Sequence, residues 1–187
     1  MNYRIEQDFL GELKIPHDAY YGVHTARALA NFNLPNYHLT HNYLIQGFAK
    51  VKIAAANANY RTGKINSETC KAIIFACERI LAGKYLDQFT IPAIQGGAGT
   101  STNMNANEVI ANIALEHLGY EKGRYDILHP INHVNMSQST NDAYPTAIKL
   151  GIYELINEVE RNLKYLRRCL EDKADEFKDI MKMGRTQ

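Results

Sequence analysis

Apolar residues recur at helical spacing along most of the chain, and the breaks between them set out its parts. The first 35 residues are irregular, punctuated by Gly11, Pro16, Gly22 and Pro35, and predict an extended arm with one short helix around Ala26 to Phe32. From Thr40 the pattern turns helical, with Leu44, Ile45, Phe48, Val51 and Ile53 among alanines and Gly63 as the stop. A second helix opens at Asn66 or Ser67, carries Ile73, Ile74, Cys77, Ile80 and Leu81 on its apolar face, and ends at Gly83. After a loop over 84–101, a third helix runs from about Asn103 to Leu118, and residues 119–140 are again loop.

The last segment has the most regular pattern. Ile152, Ile156, Val159, Leu163, Leu166 and Leu170 alternate steps of four and three, continued at Ala174, Phe177 and Met181. This heptad stripe predicts a helix over about 40 residues, roughly 60 Å long at 1.5 Å per residue. The shorter helices cannot cover such a seam, so the chain is expected to oligomerise through it or to find covalent partners beyond residue 187. The sequence stops at Lys182-Met183-Gly184-Arg185-Thr186-Gln187, right after the helix, and is expected to be a truncation. Strand patterning is nearly absent, so the fold class is mainly α: a small helical N-terminal domain followed by the first long helix of a helical-bundle central domain. The expected division is 1–140, mostly helical with an irregular N-terminal arm, and 141–187.

Composition narrows the function. The 187 residues carry 21 Lys plus Arg against 20 Asp plus Glu, too balanced a charge to gather nucleic acid or an anionic membrane. No stretch approaches the roughly 18 to 20 apolar residues of a spanning helix, and the N-terminus lacks the apolar core of a leader, so a cytoplasmic protein is expected. Cys70, Cys77 and Cys169 form no C-x-x-C and suit a reducing compartment; the first two share a helical face and read as core residues. The seven histidines contain no His-Glu-x-x-His, and Pro130 between His129 and His133 prevents a single helical face, so no metal site is expected. His24 and His133 adjoin the candidate loops, where a histidine is more often structural or solvated.

Two loops run directly into helices: Gly96-Gly97-Ala98-Gly99-Thr100-Ser101, and Ser137-Gln138-Ser139-Thr140-Asn141. Helix N-termini offer free N–H groups and partial positive charge, and two such ends suit a dianion. The simpler reading is capping, for which Ser, Thr, Asn and Asp are the preferred residues, although several hydroxyls in a row exceed the need of one cap. Pro145 fits the first turn of the last helix. The glycine loop lacks the Gly-Lys-Ser/Thr ending and the parallel sheet of a nucleotide site. Glu108 is open to two readings, a carboxylate orienting neighbouring donors or a solvated side chain. Arg185, beside Thr186 and Gln187, could grip a carboxylate.

Taken together, three motifs resemble one family. Gly99-Thr100-Ser101-Thr102-Asn103-Met104-Asn105-Ala106-Asn107-Glu108-Val109, then His133-Val134-Asn135-Met136-Ser137-Gln138-Ser139-Thr140-Asn141-Asp142-Ala143-Tyr144-Pro145-Thr146, then Lys182 to Gln187 look like the first part of the aspartase/fumarase superfamily. Asp8-Phe9-Leu10-Gly11-Glu12 and Ala19-Tyr20-Tyr21-Gly22-Val23 fit as well. The resemblance is closest to the aspartate ammonia-lyases, which carry Ser-Thr-Asn where fumarases typically read Ser-Ser-Asn; Thr140 and Gln187 carry that distinction.

The resemblance implies a homotetramer and a reversible anti-elimination of ammonia from L-aspartate to give fumarate. Thr100, Ser139, Thr140 and Asn141 would hold the substrate, with Thr186 and Gln187 contributed to a composite site by another subunit. No metal or organic cofactor is implied at the reacting centre; whether a divalent cation activates the parent stays open. Relatives carry their serine base on a later Gly-Ser-Ser-x-Met-Pro-x-Lys-x-Asn loop that lies beyond Gln187, so no catalytic residue is assigned and the 187 residues alone are expected to be inactive. Two alternatives remain: a fumarate hydratase acting on fumarate and malate, and a non-catalytic helical oligomerisation module.

Overall fold

The computed structural model describes residues 2–33, 40–96 and 98–184. Two strands, β1 (Tyr3–Asp8) and β2 (Gly11–Pro16), open the chain, and five helices follow: α1 (Val23–Asn31), α2 (Asn42–Arg61), α3 (Ser67–Leu81), α4 (Thr100–His117) and α5 (Thr140–Glu176). A 3-10 turn at Leu86–Gln88 and a π turn at Pro130–Val134 interrupt the longer loops. The mainly α class holds.

The irregular arm does not. Its first part is an antiparallel hairpin, in register from Tyr3 opposite Pro16 to Asp8 opposite Gly11. The alternation that should announce it is inverted: Ile5 is 64% exposed while Glu6 beside it is buried. Arg4 occupies the same inner face as Glu6. It donates from Nε to Glu6 Oε1 at 2.8 Å and from its two terminal nitrogens to the carbonyls of Pro16, Ala19 and Tyr21 at 2.7–3.0 Å. A strand whose inner face is an ion pair escapes any search for alternating hydrophobicity. The turn itself, Phe9-Leu10, lacks the usual Asn-Gly signal.

The chain divides into two compact units, Met1–Gly151 and Ile152–Gln187. The core of the first lies between α2, α3 and α4. Ile45 and Phe48 of α2, Ile73, Cys77 and Ile80 of α3, and Val109, Ile110, Ile113 and Leu115 of α4 share one buried cluster. Each such aliphatic side chain stabilises the fold by about 1.5–3 kcal/mol on burial. Val51 and Ile53, expected on the inner face of α2, are only partly buried, and the positions that reach the core include Lys52 and Asn59. Cys70 and Cys77 are buried among apolar neighbours, and burial pushes the Cys77 thiol up to about 12.

The first turns of α5 belong to this unit, with Ala143, Ala147 and Gly151 buried. Glycine permits close approach to α2: a Cβ on Gly47 would collide with the Ala147 carbonyl, and one on Gly151 would stand 3.0 Å from the Tyr43 carbonyl oxygen. In the second unit the helix ends at Glu176, short of the expected Met181, so Phe177 and Met181 fall outside it. No glycine or proline marks that end, and the last turn is exposed. The seam residues Ile152, Ile156, Val159, Leu163, Leu166 and Leu170 are 48–62% exposed. Among the described residues, no helix is long and apolar enough to cross a membrane.

Candidate functional site

Helix α4 begins at Thr100, three residues before the expected start, with Gly99 as its N-cap in the left-handed region at φ +79°. Gly99 meets both requirements of the position, since a Cβ there would also run into the ring of Tyr144 on α5. Helix α5 begins at Thr140. Ser139 caps it: its Oγ accepts the Asn141 N–H at 3.2 Å, and its own N–H donates to Asp142 Oδ2 at 3.3 Å. One turn into α4, Asn103 Nδ2 donates to Thr140 Oγ1 at 3.2 Å. The two helix N-termini are thereby joined by two contacts, Gly99 to Tyr144 and Asn103 to Thr140.

Thr100, Ser139 and Asn141 are exposed, and Thr140 is half-buried. Thr100 and Ser101 open onto a cleft of about 910 Å³ whose other walls include Asp8, His24, Arg27, Phe32 and Gly96. Within it the Arg27 guanidinium is already taken, donating to both carboxylate oxygens of Asp8 at 2.8 and 2.9 Å and to the Gly11 carbonyl. That guanidinium holds the Asp8 carboxyl below its usual range. Arg185, Thr186 and Gln187 lie outside the described residues.

Behind the two helix ends sits a polar cluster that the pattern of apolar residues did not reveal. Lys52, fully buried on α2, donates from Nζ to Asn103 Oδ1, Asn135 Oδ1 and Gln138 Oε1 at 2.9–3.0 Å. Asn135 Oδ1 also accepts from Asn103 and Asn107, and Asn59 Nδ2 donates to the Met136 carbonyl at 2.8 Å. These bonds pin the 134–140 loop, where Ser137 adopts φ +59°. Burial pulls the Lys52 ammonium down to about 7. The signal that could have found the cluster is one lysine at the core spacing Ile45, Phe48, Lys52, Ala56 of an otherwise alanine-rich helix.

Glu108 resolves toward orienting donors. It is fully buried and accepts the backbone N–H groups of Gly22, His24 and Thr25 at 2.8–3.1 Å and the Thr25 hydroxyl at 2.6 Å. Glu6 Oε2 takes the remaining amide, that of Val23, at 2.9 Å. Two carboxylates from distant elements thus satisfy all four free N–H groups at the start of α1. Burial holds the Glu108 carboxyl above its ordinary range, and the Tyr125 hydroxyl, which donates toward Glu6, is raised by the same burial.

His129 and His133 do come together, because the backbone around Pro130 forms a π turn instead of an α-helix. His133 Nδ1 accepts the His129 N–H at 2.9 Å, and His129 Nδ1 accepts from the N–H of Ile131 and of Asn132. Burial lowers both imidazoles below their usual value. His24 and His129 face a second cleft of about 530 Å³. No group of three or more His, Cys, Asp or Glu among the described residues is arranged to hold a metal ion.

Residues 11–187 match the profile of the lyase family. The chain belongs to that family. It is 52% identical over 185 residues to an aspartate ammonia-lyase of Helicobacter pylori, covering 98% of this chain and 40% of that one. It is 50% identical over 188 residues to the aspartate ammonia-lyase of Escherichia coli, covering 100% and 39%. Among solved structures, a fumarate lyase:delta crystallin from Brucella melitensis superposes at TM-score 0.96 with 50% identity, over 100% of this chain and 44% of that one. A class II fumarase from Schistosoma mansoni superposes at 0.94 with 36% identity, over 99% and 39%. The lyase chain described here therefore spans about 40% of the length of the curated relatives it matches.

Proposed function

We propose that the chain supplies part of the substrate site of an ammonia-lyase that eliminates ammonia from L-aspartate to give fumarate. The observation that carries this reading is the junction of two helix N-termini by the Asn103–Thr140 bond, which puts the hydroxyl loops of Thr100 and of Ser139-Thr140-Asn141 on one polar frame. Removing a proton from the carbon beside a carboxylate concentrates negative charge on the carboxylate oxygens. Donors held in place before the reaction stabilise that charge without reorganising. Hydroxyls and N-terminal amides are such donors, and ammonia then leaves from the adjacent carbon. This chemistry calls for no metal or organic cofactor at the reacting centre; an activating divalent cation elsewhere is a separate question.

The roughly 50% identity to aspartate ammonia-lyases supports the choice of substrate. Thr186 and Gln187 complete the site from another subunit in this reading, with residues 1–140 as the N-terminal lyase domain and 141–187 as the start of a central long-helix domain. The exposed seam of α5 supports assembly through that helix, as a homotetramer in the parent protein, and a cytoplasmic location accords with the free cysteines. A fumarate hydratase is the second reading, favoured by the superposition on the class II fumarase; Thr140 and Gln187 weigh against it.

The experiment is fumarate formation, followed by its ultraviolet absorbance, from L-aspartate and separately from L-malate, with the gene product read to its natural stop codon. Turnover of aspartate alone is expected. Turnover of malate alone would make the protein a hydratase, and absence of dicarboxylate binding would leave an oligomerisation module.

A further inference from the structure

Lys52 is fully buried, and among the described residues no carboxylate is paired with it. Its three bonds all go to side-chain amide oxygens, at 3.0 Å to Asn103, 2.9 Å to Asn135 and 3.0 Å to Gln138. Donating three bonds takes the protonated amine, the form present below about pH 7; an ammonium group has only donors, so each amide must turn its oxygen to the lysine and its NH2 away. The NH2 contacts follow this rule. Asn135 Nδ2 donates to the Gln138 carbonyl at 3.0 Å, and Gln138 Nε2 donates to the carbonyls of Val134 and Met136. Asn103 Nδ2 donates to Asn135 Oδ1 at 3.1 Å and to Thr140 Oγ1 at 3.2 Å.

The sequence of orientations ends at Thr140. Its oxygen receives an N–H from Asn103, which leaves its single proton free to be donated elsewhere. Were the Asn103 amide reversed, its oxygen would draw that proton inward and the hydroxyl would meet a carboxylate lone pair to lone pair. We propose that Lys52 is a positioning residue: through Asn103 it sets the hydrogen-bond polarity of Thr140, so that this hydroxyl donates to a carboxylate of the substrate. The inference rests on the reading of Thr140 as a substrate contact and goes beyond it, because Lys52 and Asn103 act without touching the ligand.

The test uses the gene product read to its stop codon, at a pH below 7 where Lys52 keeps its proton, with KM for L-aspartate and the inhibition constant of succinate, a dicarboxylate without an amino group. Asn103→Asp preserves volume and gives Lys52 a carboxylate partner, yet its second oxygen can only accept, so it draws the Thr140 proton inward. Both constants are expected to rise about tenfold or more, the scale of one lost hydrogen bond to a charged group, while circular dichroism shows a folded chain despite the lost bond from Asn103 to Asn135 Oδ1. Lys52→Met is expected to raise them similarly if it folds; Asn103→Asp decides the matter if it does not. Thr140→Val separates the two levels of the argument. If Thr140→Val leaves both constants unchanged, the substrate role of Thr140 fails and this inference with it. If Thr140→Val raises them but folded Asn103→Asp binds like the parent, the polarity role of Lys52 alone is overturned.

Discussion

Glu108 Oε2 accepts the backbone N–H of Gly22 at 2.9 Å across 86 residues of chain. Together with Glu6 it does for α1 what a serine or aspartate does for most helices, from outside the segment it caps. The N-cap itself is a glycine with no side chain to contribute. The anchor couples the hairpin, α1 and α4, the three elements that border the cleft next to Thr100.

Glu108→Ala strips three amides and the Thr25 hydroxyl of their acceptor inside the protein. The expected loss is about 3 kcal/mol or more, since buried donors left without partners are costly. Urea unfolding followed by circular dichroism would measure it; a change below 1 kcal/mol, on the same order-of-magnitude scale, would show that water replaces the carboxylate.

Gly22→Ala tests the same anchor sterically. Gly22 has φ −122°, which any residue adopts, so no backbone strain enters. A Cβ would stand 2.5 Å from Glu6 Oε2, 2.6 Å from the Tyr125 hydroxyl and 2.9 Å from Glu108 Oε1. Displacing both carboxylates is expected to cost about 1–3 kcal/mol, the usual range for overpacking. Gly11→Ala is the contrasting variant, because nothing lies within 4 Å of its Cβ and only its φ of +107° opposes the change.

Lys52 makes stability depend on pH with a definite sign. In the native chain it gives up its proton at about 7, whereas unfolded it keeps it to 10.5. Between those values the unfolded state binds more protons, so stability rises with pH across the interval. The titratable groups beside it are Asp142 and the Cys77 thiol, and the thiol stays protonated and neutral until about 12, which leaves Asp142 as the charge that bears on it. Unfolding free energies at several pH values from about 7 upward should therefore climb more steeply in the parent than in Lys52→Met. Equal slopes would contradict the depressed lysine.

The exposed stripe on α5 leads to a different outcome. Ile156→Asp combined with Leu163→Asp alters residues 57% and 59% exposed, so the melting of the Met1–Gly151 unit is expected to stay unchanged. Self-association through the seam should be lost. Sedimentation velocity of the parent and the double variant would show it as a fall in mass, and an unchanged mass would place the contact elsewhere.

The helices, the long heptad stripe and the hydroxyl loops were legible in the sequence because each is a local pattern. Spacing of apolar residues reports a helix whatever surrounds it, and Ser139 caps α5 through neighbours two and three residues away. The hairpin, the acid cap of α1 and the lysine cluster were not legible. In each, the buried positions are charged or polar: Glu6 inside a strand, Glu108 and Asn103 inside α4, Lys52 inside α2. A buried polar group is tolerated only when its partners are supplied, and those partners come from segments far away in sequence. By itself, then, the sequence determined which segments are helices and which loops carry hydroxyls. Only the tertiary structure decided how those hydroxyls are held, because the orientation of Asn103, and with it that of Thr140, depends on a lysine 51 residues earlier in the chain.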